Sequence, residues 1–324
     1  MTLRVVMLLY PRLTQLDLTG PFEVLSRLKD VQIELAWKKS RKPVEDASGL
    51  QIMPTVAFGG LSGCDLLFVP GGPGQLELME DTETLDFLRR MAQGARHVTS
   101  VCTGSLLLGA AGLLTGYRAT SHWLSLPQLA LLGATPVSAR VVVDRNRITG
   151  AGVTSGIDFG LTLAAEIAGV EEARRIALAI EYDPDPPFPP ATADPRLVAE
   201  VRAQTAGFQA RREEVARAAG ARLGLAPPAG PLPEPAPVAS PPAPASPPCV
   251  PDDTGTTMKL YRYLTGPDDT AFCNRVTAAL NKGWQLQGAP TLTFDPVKGR
   301  VICGQAIVKE VPGEWHEDVK LSDY

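Results

Sequence analysis

Val101-Cys102-Thr103-Gly104-Ser105 separates the run that ends at Val101 from a second apolar run, Leu106-Leu107-Leu108-Gly109-Ala110-Ala111-Gly112-Leu113-Leu114. Residues 97–101 have the length and branching of a strand, and the run after Cys102 has the spacing of a helix, so Cys102 occupies a strand-to-helix turn. Amide N–H groups and the positive end of a helix dipole favour a thiolate at such a turn, which predicts a lowered thiol pKa. Cys102 is therefore a candidate nucleophile. The competing reading is a small buried apolar residue, the commoner use of a free cysteine.

Working outward, strands and helices alternate. Residues 3–10 read as a buried strand, and Gly20-Pro21 is expected to open a helix, because proline suits the first helical position. Strands are predicted at 31–37 and 65–69, the latter closing on Pro70-Gly71-Gly72. A helix carries Leu85, Leu88, Met91 and Ala92 on one face. Residues 140–143 and 147–150 read as a hairpin, followed by a helix with Ile157, Leu161, Ala165 and Ala168. This order implies an α/β fold with a mostly parallel sheet, which binds ligands at the carboxyl ends of its strands. Asp17, Gly71, Gly72 and Cys102 all fall just beyond such ends.

The chain has 324 residues, 44% of them hydrophobic, and a net charge of -4, with no basic stripe of the kind that neutralises phosphates. Nucleic acid is not an expected partner. The five cysteines show no CxxC pair and no His/Cys ligand spacing, which argues for a reducing compartment, free thiols and no zinc site. The stretch at 4–10 is too short for a signal core, and no apolar run approaches the roughly 18 residues of a membrane span. The expected location is the cytoplasm, away from membranes.

Residues 226–251 hold 12 Pro and 6 Ala in 26 positions, a composition that builds no core and extends as a semi-rigid tether. At about 3.1 Å per residue it spans on the order of 80 Å. The expected organisation is a catalytic domain at 1–225, a Pro/Ala-rich linker at 226–256 and a small domain at 257–324. In the last, residues 259–264 read as a strand. A helix carrying Phe272, Val276, Ala279 and Leu280 comes next and stops at Gly283, and strands at 291–294 and 301–309 form a hairpin. Tyr261, Tyr263 and Trp284 are either a binding face or the core of this β-α-β-β unit, and Cys273 and Cys303 read as core.

Gln15-Leu16-Asp17-Leu18-Thr19-Gly20-Pro21, Val69-Pro70-Gly71-Gly72, the cysteine turn, Ala119-Thr120-Ser121-His122-Trp123 and Gly152-Val153-Thr154-Ser155-Gly156-Ile157-Asp158-Phe159 occur in this order and spacing. The set resembles the DJ-1/PfpI superfamily and, within it, the isonitrile hydratases, over about residues 1–225. The resemblance implies a flavodoxin-like three-layer sandwich, a homodimer, no cofactor or metal, and an isonitrile as the small-molecule substrate. It also implies that Cys102 is the nucleophile and Asp17 its acidic partner, with Gly71, Gly72, Thr103 and Val153 around the substrate or a developing charge. The small domain resembles a bacterial domain of unknown function. Ala151 departs from a glycine triplet that hydratases tend to carry, which bears on the freedom of the backbone beside the pocket.

Those roles make chemical sense. The terminal carbon of R–N≡C becomes electrophilic as it gains a proton, so the site needs a sulfur nucleophile beside a proton donor, and a buried carboxyl can stay protonated to donate. Gly71 and Gly72 read equally as backbone donors or as a plain turn, and Thr103 as a substrate contact or a helix N-cap. His122 adjoins Trp123 at a helix start and reads as structural, since hydration expels no amine that an imidazolium would have to protonate. Glu23 is a second candidate acid. Two other classes share these motifs: a DJ-1-like glyoxalase or redox-stress protein, and a ligand-sensing module of transcription regulators. No helix-turn-helix pattern supports the latter.

Overall fold

The computed structural model describes residues 2–188, 194–228, 230–233, 257–267, 269–295 and 300–312. It divides into two compact units, Met1–Ala243 and Pro244–Tyr324.

The first unit is built on a seven-stranded sheet in the order Val141–Asp144, Arg147–Gly150, His97–Val101, Leu66–Val69, Leu3–Leu8, Val31–Trp37, Val56–Ala57. All neighbours run parallel except the hairpin of the first two strands. The central strands are apolar throughout because both faces of a parallel sheet are covered: Leu66–Val69 is buried at every position, and Leu3–Leu8 at all but Arg4. The helix Gln15–Leu25 packs on Ser155–Ala168, and a second group comprises Thr82–Ala92, Gly104–Ala110, the 3-10 segment Trp123–Leu132 and the long helix Pro195–Arg222. The expected three-layer α/β architecture is present.

The first helix differs from its predicted start. It begins at Gln15, and Pro21 sits inside it. A proline there returns no N–H to the carbonyl of Asp17 four residues earlier, a cost that usually ends a helix. Packing overrides it here: Gly156 and Gly160 of the 155–168 helix are seated against Pro21.

The second unit is a three-stranded antiparallel sheet, Thr257–Pro267, Arg300–Pro312, Gln285–Asp295 in that order, with the helix Thr270–Asn281. Met258, Leu260, Trp284, Ile307 and Val311 form its core. Trp284 is therefore core, while Tyr261 and Tyr263 are exposed. Cys303 is buried as expected, but Cys273 is exposed: its position falls on the outer side of the 270–281 helix. Cys64, Cys102 and Cys273 carry free thiols. The Pro/Ala stretch from residue 234 and the turn at 296–299 lie outside the described residues. Among those described, no helix is long and apolar enough to cross a membrane.

Candidate active site

Four adjacent parallel strands deliver the site residues from their carboxyl ends. Leu3–Leu8 leads to Tyr10 and the helix bearing Asp17, Leu66–Val69 to Gly71 and Gly72, His97–Val101 to Cys102, and Arg147–Gly150 to Val153. This is where a sheet of this kind gathers ligand-binding groups.

Cys102 has a φ of +55°, a left-handed conformation rare outside glycine. The turn holds it there from both sides. Its N–H donates to the carbonyls of Gly150 at 3.0 Å and Ala151 at 3.1 Å, and its own carbonyl accepts from the hydroxyls of Ser105 and Ser121, each at 3.0 Å. The conformation is thus imposed by the surrounding framework, as strained functional residues require.

Asp17, in the first turn of its helix, is fully buried. Burial raises its carboxyl to about 7 from the ordinary 3.8, and the adjacent Cys102 thiol and Gly71 N–H offset only part of this. Those neighbours are close without ideal alignment, since neither carboxyl oxygen makes a hydrogen bond of good geometry. Burial, and then the charge of Asp17, push the Cys102 thiol well above 9.0, while the Thr103 N–H and Arg212 pull the other way. The lowered thiol pKa expected from the turn is not the net result. The turn contributes as anticipated through the Thr103 N–H, but loss of water and a facing carboxyl outweigh it. The two groups behave as one coupled acid that holds a single proton between about pH 7 and the alkaline titration of the sulfur.

Gly71 is the spacer between them. A Cβ on it would stand 2.6 Å from the Thr103 nitrogen, 2.7 Å from the Cys102 Cβ and 2.8 Å from Asp17 Oδ2, so any other residue there displaces its neighbours. Its carbonyl accepts from the Thr14 N–H at 2.9 Å. The Gly72 N–H donates to the Thr103 hydroxyl at 3.0 Å. Both glycine amides thus face protein groups: Gly71 is turned inward to Asp17, and Gly72 is engaged by Thr103.

Above the sulfur lies a cavity of about 270 Å³ lined by Gly72, Cys102, Thr103, His122 and Val153 together with Phe208, Gln209 and Arg212 from the 195–222 helix. Cys102, Asp17, Gly71, Gly72, Thr103 and Val153 are thereby brought together, all but Asp17 and Gly71 lining the cavity itself. Glu23 is elsewhere. It is half exposed, pairs with Arg27 at 2.6 Å and borders a separate groove with Tyr182. Ala151 does not line the cavity; its carbonyl serves the Cys102 turn.

His122 closes the sulfur's other side. A Cβ on Gly152 would lie 2.4 Å from the imidazole Cδ2 and 3.3 Å from the sulfur, which places ring and thiol against the same atom. Burial, aided by Arg212, lowers His122 to about 4, so it is neutral at pH 7. Its Nδ1 accepts from the Leu124 N–H at 3.4 Å.

Tyr10 and Arg212 belong to the site although no sequence pattern singles them out. The fully buried Tyr10 hydroxyl donates to the Pro70 carbonyl at 3.0 Å, beneath the Gly71 turn. Arg212 is 4% exposed and has no carboxylate within ion-pair distance among the described residues, although an unpaired buried cation costs several kcal/mol. Burial lowers it to about 10, and it remains charged.

Comparison with known proteins agrees with this geometry. The DJ-1/PfpI family model matches residues 3–166, and the model of DUF1737, a domain of unknown function, matches residues 258–310. The chain is 51% identical over 228 residues to isonitrile hydratase of Pseudomonas putida, covering 69% of this chain and all of that protein. It is 36% identical over 138 residues to the HTH-type transcriptional regulator GbdR of Pseudomonas aeruginosa, covering 41% of this chain and 36% of the regulator. A solved THiJ/PfpI family protein from Pseudomonas syringae superposes with a TM-score of 0.65 at 44% identity, covering 67% of this chain and 91% of that one. Fold, motif order and similarity converge, and the chain belongs to the DJ-1/PfpI family.

Proposed function

We propose that this protein is an enzyme that hydrates an isonitrile to an N-substituted formamide, with Cys102 as nucleophile and Asp17 as the proton-transferring acid and base. The observation that carries this is the buried Asp17 carboxyl set against the Cys102 side chain across Gly71, at the floor of a small cavity that His122 also lines. Similarity to a protein named isonitrile hydratase supports the same reading.

One proton on the pair is what the first step consumes. The sulfur attacks the terminal carbon of R–N≡C as that carbon takes the proton, giving the thioimidate R–N=CH–S–Cys102 and leaving the Asp17 carboxylate. The carboxylate then draws a proton from water as the water's oxygen adds to the carbon, and passes that proton to the nitrogen. Collapse breaks the C–S bond, releases R–NH–CHO and returns the sulfur with the pair's single proton. Water is the only co-reactant, and no amine departs, so the neutral His122 is no obstacle. Thr103 and Val153 bound the space that the substituent R occupies.

The remaining parts of the reading are a cytoplasmic homodimer acting on a small molecule, with a catalytic domain at 1–225, a linker at 226–256 and an accessory domain at 257–324. The deciding experiment incubates purified protein with an alkyl or aryl isonitrile and follows the formamide proton by NMR. Formation of formamide at a rate that scales with enzyme supports the reading. Unchanged isonitrile, with turnover of methylglyoxal instead, would replace it by the glyoxalase alternative.

A further inference from the structure

Among the described residues, Arg212 is the one charged side chain that lines the cavity. It is held in a fixed pose by neutral acceptors only. Nε donates to Gln75 Oε1 at 3.0 Å, and Nη1 donates to Ser125 Oγ at 2.8 Å and Gln209 Oε1 at 3.2 Å. The guanidinium lies 4.4 Å from the centre of the Phe208 ring. These supports are themselves fixed: Gln75 and Ser125 are fully buried, and Gln128 donates to the same Gln209 oxygen at 3.3 Å. Nη2 has no hydrogen-bond partner among the described residues. The scaffold therefore orients the cation without neutralising it, and leaves one nitrogen of its fork unused.

Desolvating a cation without a counter-charge is unfavourable, so an arrangement that fixes its geometry and leaves a donor free is suited to an anion that comes and goes. The sulfur does not fill that role throughout the reaction, since any charge on it disappears when the C–S bond forms. Asp17 lies behind the turn and outside the cavity lining. A carboxylate carried by the substrate would stay opposite the guanidinium through every step.

We propose that Arg212 makes this cavity a carboxylate-binding site, and that the isonitriles it prefers carry a carboxylate a few bonds from the terminal carbon. The substrate class rests on the hydratase reading above; the anion site does not.

Iodoacetate and iodoacetamide separate the two, because they alkylate Cys102 by the same displacement of iodide, one carrying a carboxylate where the other carries a neutral amide. Rates at Cys102, resolved by mass spectrometry in the full chain, are referred to the same pair of rates on glutathione. The wild-type preference for iodoacetate is expected to exceed that of glutathione by about tenfold or more, the worth of one charged hydrogen bond. A preference equal to or below glutathione's overturns the proposal without need of any variant. In Arg212→Gln the preference should fall to the glutathione value, and in Arg212→Lys it should be partly kept. Equal slowing of both reagents in Arg212→Gln would instead make Arg212 a support for the sulfur's charge and overturn the proposal. The substrate class is read from kcat/KM on isocyanoacetate against its methyl ester, expected to favour the acid in the wild type and to lose that bias in Arg212→Gln. An iodoacetate preference in a protein that turns over neither isonitrile would keep the anion site and reject the hydratase reading.

Discussion

The carboxyl of Asp17 and the side chain of Cys102 lie against the same point of Gly71, where an added methyl would stand 2.8 Å from Asp17 Oδ2 and 2.7 Å from the Cys102 Cβ. Carboxyl and thiol therefore cannot move independently of the 70–72 turn. Gly71→Ala must push one of them aside, and overpacking of this kind costs about 1–3 kcal/mol. The expected outcome is a folded protein with a lowered Tm and at least about a hundredfold loss in kcat, the size of a lost general acid–base contribution. A thermal melt with a rate assay on the same preparation checks it, and near wild-type turnover would remove Gly71 from the account.

Cys102→Ser should abolish formamide production. A serine hydroxyl in the same buried turn is a far weaker acid than a thiol, and burial disfavours its ionised form as it does that of Cys102. Mass spectrometry of wild-type enzyme quenched during turnover should show the thioimidate adduct on Cys102. Its absence, together with retained activity in the serine variant, would refute covalent catalysis.

Asp17 and Glu23 separate cleanly. Asp17→Asn should lose at least about a hundredfold in kcat/KM. Glu23→Gln, on a half-exposed side chain tied to Arg27 at 2.6 Å, should change the rate by less than about twofold, as surface substitutions do. The reverse ranking would transfer the acid role to Glu23.

The pair also sets the pH profile. Below about 7 the Asp17 carboxyl is protonated and can no longer take the proton of the Cys102 thiol as the sulfur attacks, so kcat/KM should fall as pH drops through about 7. The alkaline limb comes with loss of the second proton. The same titration acts on stability with a definite sign. A carboxyl whose folded pKa is raised favours the fold fully below its unfolded value near 3.8, and that contribution is lost as pH rises through about 7. At about 1.4 kcal/mol per pH unit, the penalty above pH 7 reaches about 4 kcal/mol for this fully buried group. Asp17→Asn should therefore raise Tm more at pH 8 than at pH 5. An equal change at both values would show that Asp17 is not held protonated by the fold.

No proposed catalytic residue lies beyond the first unit, and Leu232 packs against that unit's core. Truncation after residue 233 should leave kcat/KM within about twofold of the full chain, as for independent sites. A tenfold loss would show that the appended domain contributes to catalysis.

Most of the floor of the site is legible in the sequence because each part comes after a short apolar strand, and the alternation of elements brings the ends of such strands together. Asp17, Gly71, Gly72 and Cys102 are found that way, Thr103 as the neighbour of Cys102, and Val153 through the family resemblance. The wall is not legible. Residues 195–222 are rich in Ala, Arg and Glu, and nothing in that pattern distinguishes Arg212 from the exposed arginines of the same helix. The ionisation of Cys102 is misread for a related reason: the turn and dipole are local and readable, whereas the desolvation that outweighs them comes from contacts assembled across the whole unit. The start of the first helix is hidden by Pro21, whose penalty is met by glycines more than a hundred residues away.

That wall comes last in the unit's order of synthesis. Cys102, Asp17 and the 70–72 turn lie within the first third of the chain, and the 195–222 helix that supplies Phe208, Gln209 and Arg212 is made about a hundred residues later. On the ribosome the reactive pair and the segments that hold the Cys102 turn, through Ala151, are therefore made before the helix that completes the cavity. The same separation lets drift or grafting in the late helix retune which molecules enter while the early segments, and the reaction they perform, stay unaltered.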